Sequence, residues 1–336
     1  MTRAGRCVRV SDSSEVAGAR RVAVECSVKL GMGATAEAKA GLVATELATN
    51  VLKHGGGGTI LFGEDEELQS LTITAFDKGR GIGNLNTAMR DGYSTAGSPG
   101  TGLGAISRAA SFVDVYSLPD RGTAVFCRID GDEASRPRPL LPPSRVTIGG
   151  ICLPKTGEEQ SGDAWTATVT RDVITISVAD GLGHGPAAAT AAAAAIRIFA
   201  HGADLQVERM MEDAHGALRP TRGAAVGIAR IHAAAGRLDF AGVGNIAGAI
   251  VTDEGVRRVV SLNGIVGHEM RKVQTFSYPW TASSVLVMQS DGVSASWNAG
   301  QYPGLMQHDA ALIAAVLYRD FCRGTDDATV VVAKAS

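Results

Sequence analysis

The chain has 336 residues, 45% hydrophobic and 20% charged, with a formal net charge of −2 at pH 7. That length can bury two separate cores. Residues 1–130 hold 14 basic and 14 acidic side chains and residues 131–336 hold 18 and 20, so neither part has the basic excess of a nucleic-acid binder.

In chain order, a short strand is expected near Val8–Val10, then helices over about 13–30 and 35–54. Strands follow at Thr59–Phe62 and Leu71–Phe76, then a long glycine-rich loop and a helix near 102–111. Strands near Phe112–Ser117 and Thr123–Ile129 close this part. Early helices and mostly adjacent strands predict an α+β two-layer sandwich. Residues 131–144, GDEASRPRPLLPPS, hold four prolines among mixed charges and read as a linker. It divides the chain into domains at 1–130 and 145–336. The second predicts strands at 146–153, 164–170, 173–179, 224–232, 237–241, 246–251, 273–279, 284–289 and 328–333. Its helices fall near 185–201, 204–218 and 309–322. Strands outnumber helices, so stacked sheets flanked by helices are expected.

The alanine run 187–195 is too short and too weakly apolar to span a bilayer, and reads as a buried helix. Cys7, Cys26, Cys127, Cys152 and Cys322 are scattered and form no close-spaced metal pair. They read as reduced, mostly core thiols of a cytoplasmic protein. No charged-then-apolar signal pattern opens the chain.

Two constellations carry chemistry. In ELATNVLKHGGGG, residues 46–58, Glu46 and Asn50 are spaced i, i+4 and share a helix face. A carboxylate there can accept a proton, and an amide oxygen suits Mg²⁺. The pair alone also fits a solvated helix face, and the glycines alone fit a cap and turn. DKGRGIGN, residues 77–84, then sets Asp77 at a strand end with Gly79, Gly81 and Gly83, where backbone can approach a ligand closely. GYSTAGSPGTGLGAISRAA, residues 92–110, runs through Gly100, Gly102 and Gly104 into a helix start, and such a start binds phosphate.

ELATNVLKHG, DKGRGIG and GTGLGAISR together resemble the N box and the two glycine boxes of the GHKL ATPases, and RGTAVFCRI resembles that family's closing strand. The resemblance covers nearly all of 1–130. It implies the GHKL (Bergerat) ATPase sandwich, ATP with Mg²⁺, Asp77 on the adenine amino group, Thr123 near the adenine, Asn50 on Mg²⁺ and Glu46 as general base. DGYST at 91–95 is similar to the RsbT-like serine kinases of bacterial partner-switching pathways, which phosphorylate a serine or threonine on STAS-domain proteins. The sequence shows no phosphoacceptor-histidine helix pair upstream, which argues against a sensor histidine kinase.

The second constellation is a set of aspartates at strand ends: Asp163 in SGDAW, Asp180 in VADGLGHG, Asp291 in QSDGVS, and Asp326 with Asp327 in GTDDATVVV. Any one could be a turn-capping residue. Together they suit an oxygen-rich cage for two divalent ions. These motifs resemble the metal-dependent PPM serine/threonine phosphatases, in the SpoIIE and RsbX branch, from about 146 to the C-terminus. The resemblance implies an α-β-β-α sandwich and two Mn²⁺ or Mg²⁺ ions, with Asp163, Asp180, Asp291 and Asp326 as metal-ligating residues. The Gly181 carbonyl is a further ligand and Asp327 an outer neighbour. No arginine is evident as a phosphate clamp. His184 reads first as a satisfied helix-start residue and second as a proton donor, and Arg257-Arg258 as a solvated turn.

The expected function is a bifunctional switch: a serine/threonine kinase fused to the opposing phosphatase, acting on STAS-domain regulators of a stress or sigma-factor pathway. The alternative is an anti-sigma factor that binds a sigma factor directly, with an attached phosphatase. A third reading, a binding module with decayed sites, is opposed by the intact acidic set. Expected partners are STAS-domain substrates, a larger signalling assembly and a second copy of the chain, with no nucleic acid and no membrane.

Overall fold

The computed structural model describes residues 6–85, 102–132, 146–170, 173–202 and 205–335. The chain divides into two compact units, Met1–Pro142 and Pro143–Ser336.

The first unit has one antiparallel sheet of five strands: β1 (Arg6–Val10), β2 (Gly58–Asp65), β3 (Ser70–Asp77), β4 (Phe112–Ser117) and β5 (Thr123–Asp130). Their order in space is β1-β2-β3-β5-β4. Among the described residues three helices accompany it: α1 (Ser13–Lys29), α2 (Ala34–Gly55) and α3 (Gly102–Ala109). Ala40, Val43, Ala44, Leu47 and Val51 of α2 meet Ile60, Phe62, Leu71 and Ile73 of the sheet in one core. These α2 positions recur every three or four residues, the spacing of one helix face.

The helix starts differ in how they are satisfied. In α1 the Asp12 carboxylate accepts from the Ser14 amide at 2.7 Å, and Glu15 accepts from the Asp12 amide at 3.1 Å, a capping box. The α2 N-cap is Gly33, which has no side chain to offer. Asp132, far along the chain, takes its place: its carboxylate accepts from the amides of Thr35 at 3.3 Å and Ala36 at 3.1 Å. Its own amide donates to the Met32 carbonyl at 2.7 Å. A Cβ on Gly33 would collide with this carboxylate.

The second unit has two five-stranded sheets. One contains β7 (Asp163–Val169), β8 (Ile174–Gly181), β9 (Ala224–His232), β10 (Arg237–Val243) and β13 (Phe276–Pro279), in the order β13-β10-β9-β8-β7. The other contains β6 (Val146–Leu153), β11 (Ala247–Thr252), β12 (Gly255–Arg258), β14 (Val285–Gln289) and β15 (Ala328–Ala335), in the order β12-β11-β14-β15-β6. Ile176, Val178, Ile231, Leu238 and Phe240 of the first meet Ile250, Leu286, Met288 and Val331 of the second. On the other face of the first sheet, Val226, Ile228 and Ala241 pack on α4 (Pro186–His201) and α5 (Val207–Leu218) through Ala192, Ala195, Phe199, Met210 and Met211. The alternation along β9 and β10 is the period-2 pattern of strands buried on both faces. α6 (Ala310–Phe321) lies on β6 and β15. Contact is close at Gly149, where a Cβ would strike the backbone of Ala311.

The alanine run is the core of α4, with Ala188, Ala191, Ala192 and Ala195 fully buried. Among the described residues no helix is long and apolar enough to cross a membrane. All five cysteines are free; Cys26 and Cys127 are buried and Cys7 is exposed. One expectation is corrected. Arg257 and Arg258 are not in a turn but in the edge strand β12, paired with Ile250 and Ala249 of β11. Every residue of β12 is exposed, so the strand offers no apolar alternation to read.

Candidate active sites

In the first unit Glu46 and Asn50 lie on the same face of α2, both half-buried. The start of α3 sits over them. A Cβ on Gly102 would lie 3.3 Å from Asn50 Oδ1 and 3.5 Å from Glu46 Oε2. The helix start, the amide and the carboxylate therefore face one space. Neither side chain has a hydrogen-bond partner among the described residues.

Asp77 ends β3 and is 8% exposed. One of its carboxylate oxygens accepts from the Gly79 amide at 2.8 Å and the Thr123 amide at 3.3 Å. The Thr123 hydroxyl lies 2.9 Å from that of Ser117, which also accepts from the Ile82 amide at 2.8 Å. Glycines permit this crowding. A Cβ on Gly55 would overlap the Asp77 side chain, one on Gly79 the His54 carbonyl, and one on Gly122 the Asp77 carbonyl. Gly81, at φ 69°, is pressed against Leu118 in the same way, whereas Gly83 has open space around it. Gly104 is buried within α3. Gly100 and the DGYST segment lie outside the described residues.

This half fits a nucleotide on its donor chemistry. A carboxylate held at a strand end suits an exocyclic amine, and close backbone at the glycines leaves no side chain in the way. An amide and a carboxylate under a helix start suit phosphate with Mg²⁺.

In the second unit, Asp163 opens β7 opposite Asp180 near the end of β8. Asp163 is 4% exposed. It accepts from the Ser290 hydroxyl at 2.6 Å, and that hydroxyl oxygen accepts from the Thr329 amide at 2.9 Å. Ser290 thus ties the two sheets together beside the acids. Asp291, the next residue, is exposed and accepts from Asn245 Nδ2 at 2.7 Å. Asp326 accepts from the Asp327 amide at 2.9 Å. Asp327 Oδ1 accepts from the Lys155 amide at 2.9 Å, while its Oδ2 is buried with no partner among the described residues. The Gly181 amide donates to Gly162 O at 3.0 Å. A Cβ on Gly181 would strike the Ala188 carbonyl, and one on Gly292 the Asp327 carbonyl.

The acids press on one another electrostatically. Burial, then Asp163, Asp291, Asp326 and Asp327, push the Asp180 carboxyl up to about 9. Burial pushes Asp163 up to about 7, against the opposing pull of Ser290 and Thr329. Asp291, although exposed as a residue, is raised by partial desolvation of its carboxylate and by Asp326, and lowered in part by Arg323 and Asn245. Such a set of oxygens fits a hard divalent cation, whose charge would relieve the repulsion. As placed, no three Asp, Glu, His or Cys side chains among the described residues converge on one ion. A pair of carboxylates with water filling the remaining positions is the arrangement Mg²⁺ tolerates well.

His184 is paired with Glu158, Nδ1 to Oε1 at 2.7 Å, just before α4. This is a satisfied helix-start histidine, the first of its two readings. Sequence reasoning missed Ser290, Asn245 and the Asp132 cap. Ser290 stood beside a singled-out aspartate; Asn245 and Asp132 join their partners only through the fold.

Comparison with known proteins follows the same division. Residues 170–336 match the family Stage II sporulation protein E (SpoIIE). The serine/threonine-protein kinase RsbT of Bacillus subtilis (strain 168) is 31% identical over 121 residues, covering 35% of this chain and 91% of that protein. A chain solved in work on the bacterial stressosome, described as a modular system adapted to control secondary messenger signalling, is 26% identical. It superposes with a TM-score of 0.54, covering 57% of this chain and all of that one. RsbX in complex with magnesium is 21% identical with a TM-score of 0.50, covering 57% of this chain and 96% of that one; this likeness is one of fold. The two parts thus have separate relatives, and the chain belongs to the RsbT serine/threonine-protein kinase family through its N-terminal part, with a SpoIIE-family match in its C-terminal part.

Proposed function

We propose that the chain is a bifunctional switch enzyme: an ATP-dependent serine/threonine kinase in residues 1–130 and a metal-dependent phosphoserine/phosphothreonine phosphatase in 145–336, joined by the linker 131–144. Its substrates are STAS-domain regulators of a stress or sigma-factor pathway. The observation that carries this reading is the pairing of Glu46 and Asn50 beneath Gly102 in one unit with the five-aspartate cluster in the other.

In the kinase, Asp77 receives the adenine amino group beside Thr123, and the backbone at Gly79, Gly81 and Gly83 lines the base. The start of α3, at Gly102 and Gly104, receives the phosphates together with Gly100, two residues earlier in the sequence, and Asn50 would hold Mg²⁺. Glu46 would accept the proton of the substrate hydroxyl as that oxygen bonds to the γ-phosphorus and the bond to the β,γ-bridging oxygen breaks, releasing ADP. In the phosphatase, Asp163, Asp180, the Gly181 carbonyl, Asp291 and Asp326 would hold two Mg²⁺ or Mn²⁺ ions, with Asp163 fixed by the Ser290 hydroxyl. Those ions would supply Lewis acidity toward the phosphate and toward a water.

The likeness to RsbT supports STAS-domain targets. The likeness to a stressosome-related chain supports a larger assembly, and a homodimer is part of the same proposal. Free cysteines support a cytoplasmic place. The direct test is phosphosite mapping on proteins captured with the full chain from its own cell. Phosphoserine or phosphothreonine on a STAS-domain protein, changing when either site is disabled, is the expected result. Tight capture of a sigma factor with no such phosphosite would select the anti-sigma reading instead.

A further inference from the structure

The phosphatase reading leaves a gap. Asp163, Asp291, Asp326 and Asp327 all act electrostatically on Asp180, yet a phosphate monoester arrives as a dianion. Beside any bound divalent ions, an oriented cation on the protein would help to hold the phosphate oxygens away from the acids. We infer that Arg222 is that cation and positions the substrate phosphate; this rests on the phosphatase reading above.

Arg222 stands two residues before β9. At the start of β9, Ala224 pairs with Gly181 and Ala225 with Asp180. Residues 222–223 therefore continue alongside the turn that follows Asp180. The Leu182 amide donates to the Gly223 carbonyl at 3.1 Å. A Cβ on Gly183 would lie 3.1 Å from Arg222 Nη1, so the guanidinium crosses over the loop leaving Asp180. Any side chain at Gly183, which has φ 88°, would compete with it.

The backbone around Arg222 is pinned on both sides. The Thr221 amide donates to Leu218 O at 2.9 Å, and its hydroxyl donates to the same carbonyl at 2.7 Å. Gly223 N donates to the Thr221 hydroxyl at 3.0 Å. His268 Nε2 lies 3.1 Å from the Thr221 carbonyl. The side chain, in contrast, is exposed and has no carboxylate partner among the described residues.

Arg323 is the competing candidate. Its charge already acts on Asp291, and its amide is tied to the Gly292 carbonyl at 2.8 Å. It serves the acid cluster. Arg222 combines a fixed backbone, an uncommitted guanidinium and a place beside Asp180. A guanidinium can present two parallel N–H donors to a phosphate, which an ammonium cannot.

The test uses the full-length protein loaded with Mg²⁺, as wild type, Arg222→Ala, Arg222→Lys and the edge-strand control Arg257→Ala. Calorimetry reads the affinity for inorganic phosphate and, separately, for Mg²⁺. Steady-state hydrolysis of p-nitrophenyl phosphate reads KM and kcat, and thermal unfolding checks the fold. Loss of one charge-assisted contact predicts about a 10–100-fold weaker phosphate affinity in Arg222→Ala, with KM rising in parallel. Arg222→Lys should recover part of that loss. Mg²⁺ affinity, unfolding and the Arg257→Ala control should stay at wild-type values. Phosphate affinity within twofold of wild type in both Arg222 variants would overturn the inference, as would an equal loss of Mg²⁺ affinity. Arg222-dependent phosphate binding by a wild-type protein that hydrolyses no aryl phosphate would uphold the inference and sink the phosphatase reading.

Discussion

In the proposed function Glu46 and Asp180 bear the two chemistries, and each can be replaced by its amide without changing shape. Glu46→Gln keeps the half-buried side chain on α2 beneath Gly102 but cannot accept a proton. Phosphoryl transfer should fall by about 10²–10⁴-fold, the usual loss for a general base. ATP affinity, measured by calorimetry, should change little because Asp77 and Asn50 remain. Transfer at the wild-type rate would remove Glu46 from its role. Asp180→Asn takes away the carboxylate on which four other acids act. Mn²⁺-dependent hydrolysis of an aryl phosphate should drop to background, while kinase turnover in the same preparation stays intact. Hydrolysis undiminished at saturating Mn²⁺ would show that Asp180 is not a ligand.

Among the elements, α2 matters most because it presents both residues proposed for the kinase, Glu46 and Asn50. Its first turn is held by Asp132 rather than by its own N-cap. Asp132→Ala should therefore destabilise the first unit by about 1 kcal/mol, the common value of a lost cap, visible as a lower denaturation midpoint with an unchanged slope. The hairpin joining β4 to β5 offers a sharper change. Gly122 has φ 82°, and a Cβ there would collide with the Asp77 carbonyl. Gly122→Ala should shift Asp77 and weaken ATP binding more than Asp132→Ala does, as nucleotide titration would reveal. Elements of this kind were legible in the sequence where apolar periodicity was strong. The helices 13–30 and 35–54 and the buried strands of the second unit stand within a few residues of their expected ranges. β12 was not legible, because four exposed residues carry no inside-outside pattern. Asp180 and Asp291 could be read from Asp-Gly pairs after apolar runs, and Asp163 and Asp326 from their places just before strand-like runs. Asn245 and Ser290 could not, since only the fold brings them to their partners, and nothing in the sequence signals the buried, unpartnered Asp327 oxygen.

On the scale of the whole molecule, the acid cluster links metal, pH and stability. Without metal, Asp163 and Asp180 are raised to about 7 and about 9, above the ordinary carboxylate value of about 3.9 in an unfolded chain. The folded state then binds more protons than the unfolded state across that window. Its stability must fall as pH rises from about 4 through the folded values. The chelated protein should lose thermal stability between acid and mildly alkaline pH, and added Mg²⁺ or Mn²⁺ should restore it most at the alkaline end. A metal-induced gain that shrinks as pH rises would contradict the cluster as the cation site.

The two units perform opposed reactions in the proposed switch, and both on one serine would merely hydrolyse ATP. In that proposal the two activities share a partner on one chain, so distinct phosphosites or an assembly favouring one activity is expected. The most direct measurement incubates a candidate STAS-domain protein with ATP, Mg²⁺ and Mn²⁺, together with wild-type, Glu46→Gln or Asp180→Asn protein, and follows its phosphoserine and phosphothreonine by mass spectrometry. On a shared site, phosphate should accumulate most with Asp180→Asn and be absent with Glu46→Gln, which should still clear phosphate from a pre-phosphorylated sample. No change in phosphate on any STAS-domain protein with any of the three forms, alongside tight binding of a sigma factor, would contradict the account.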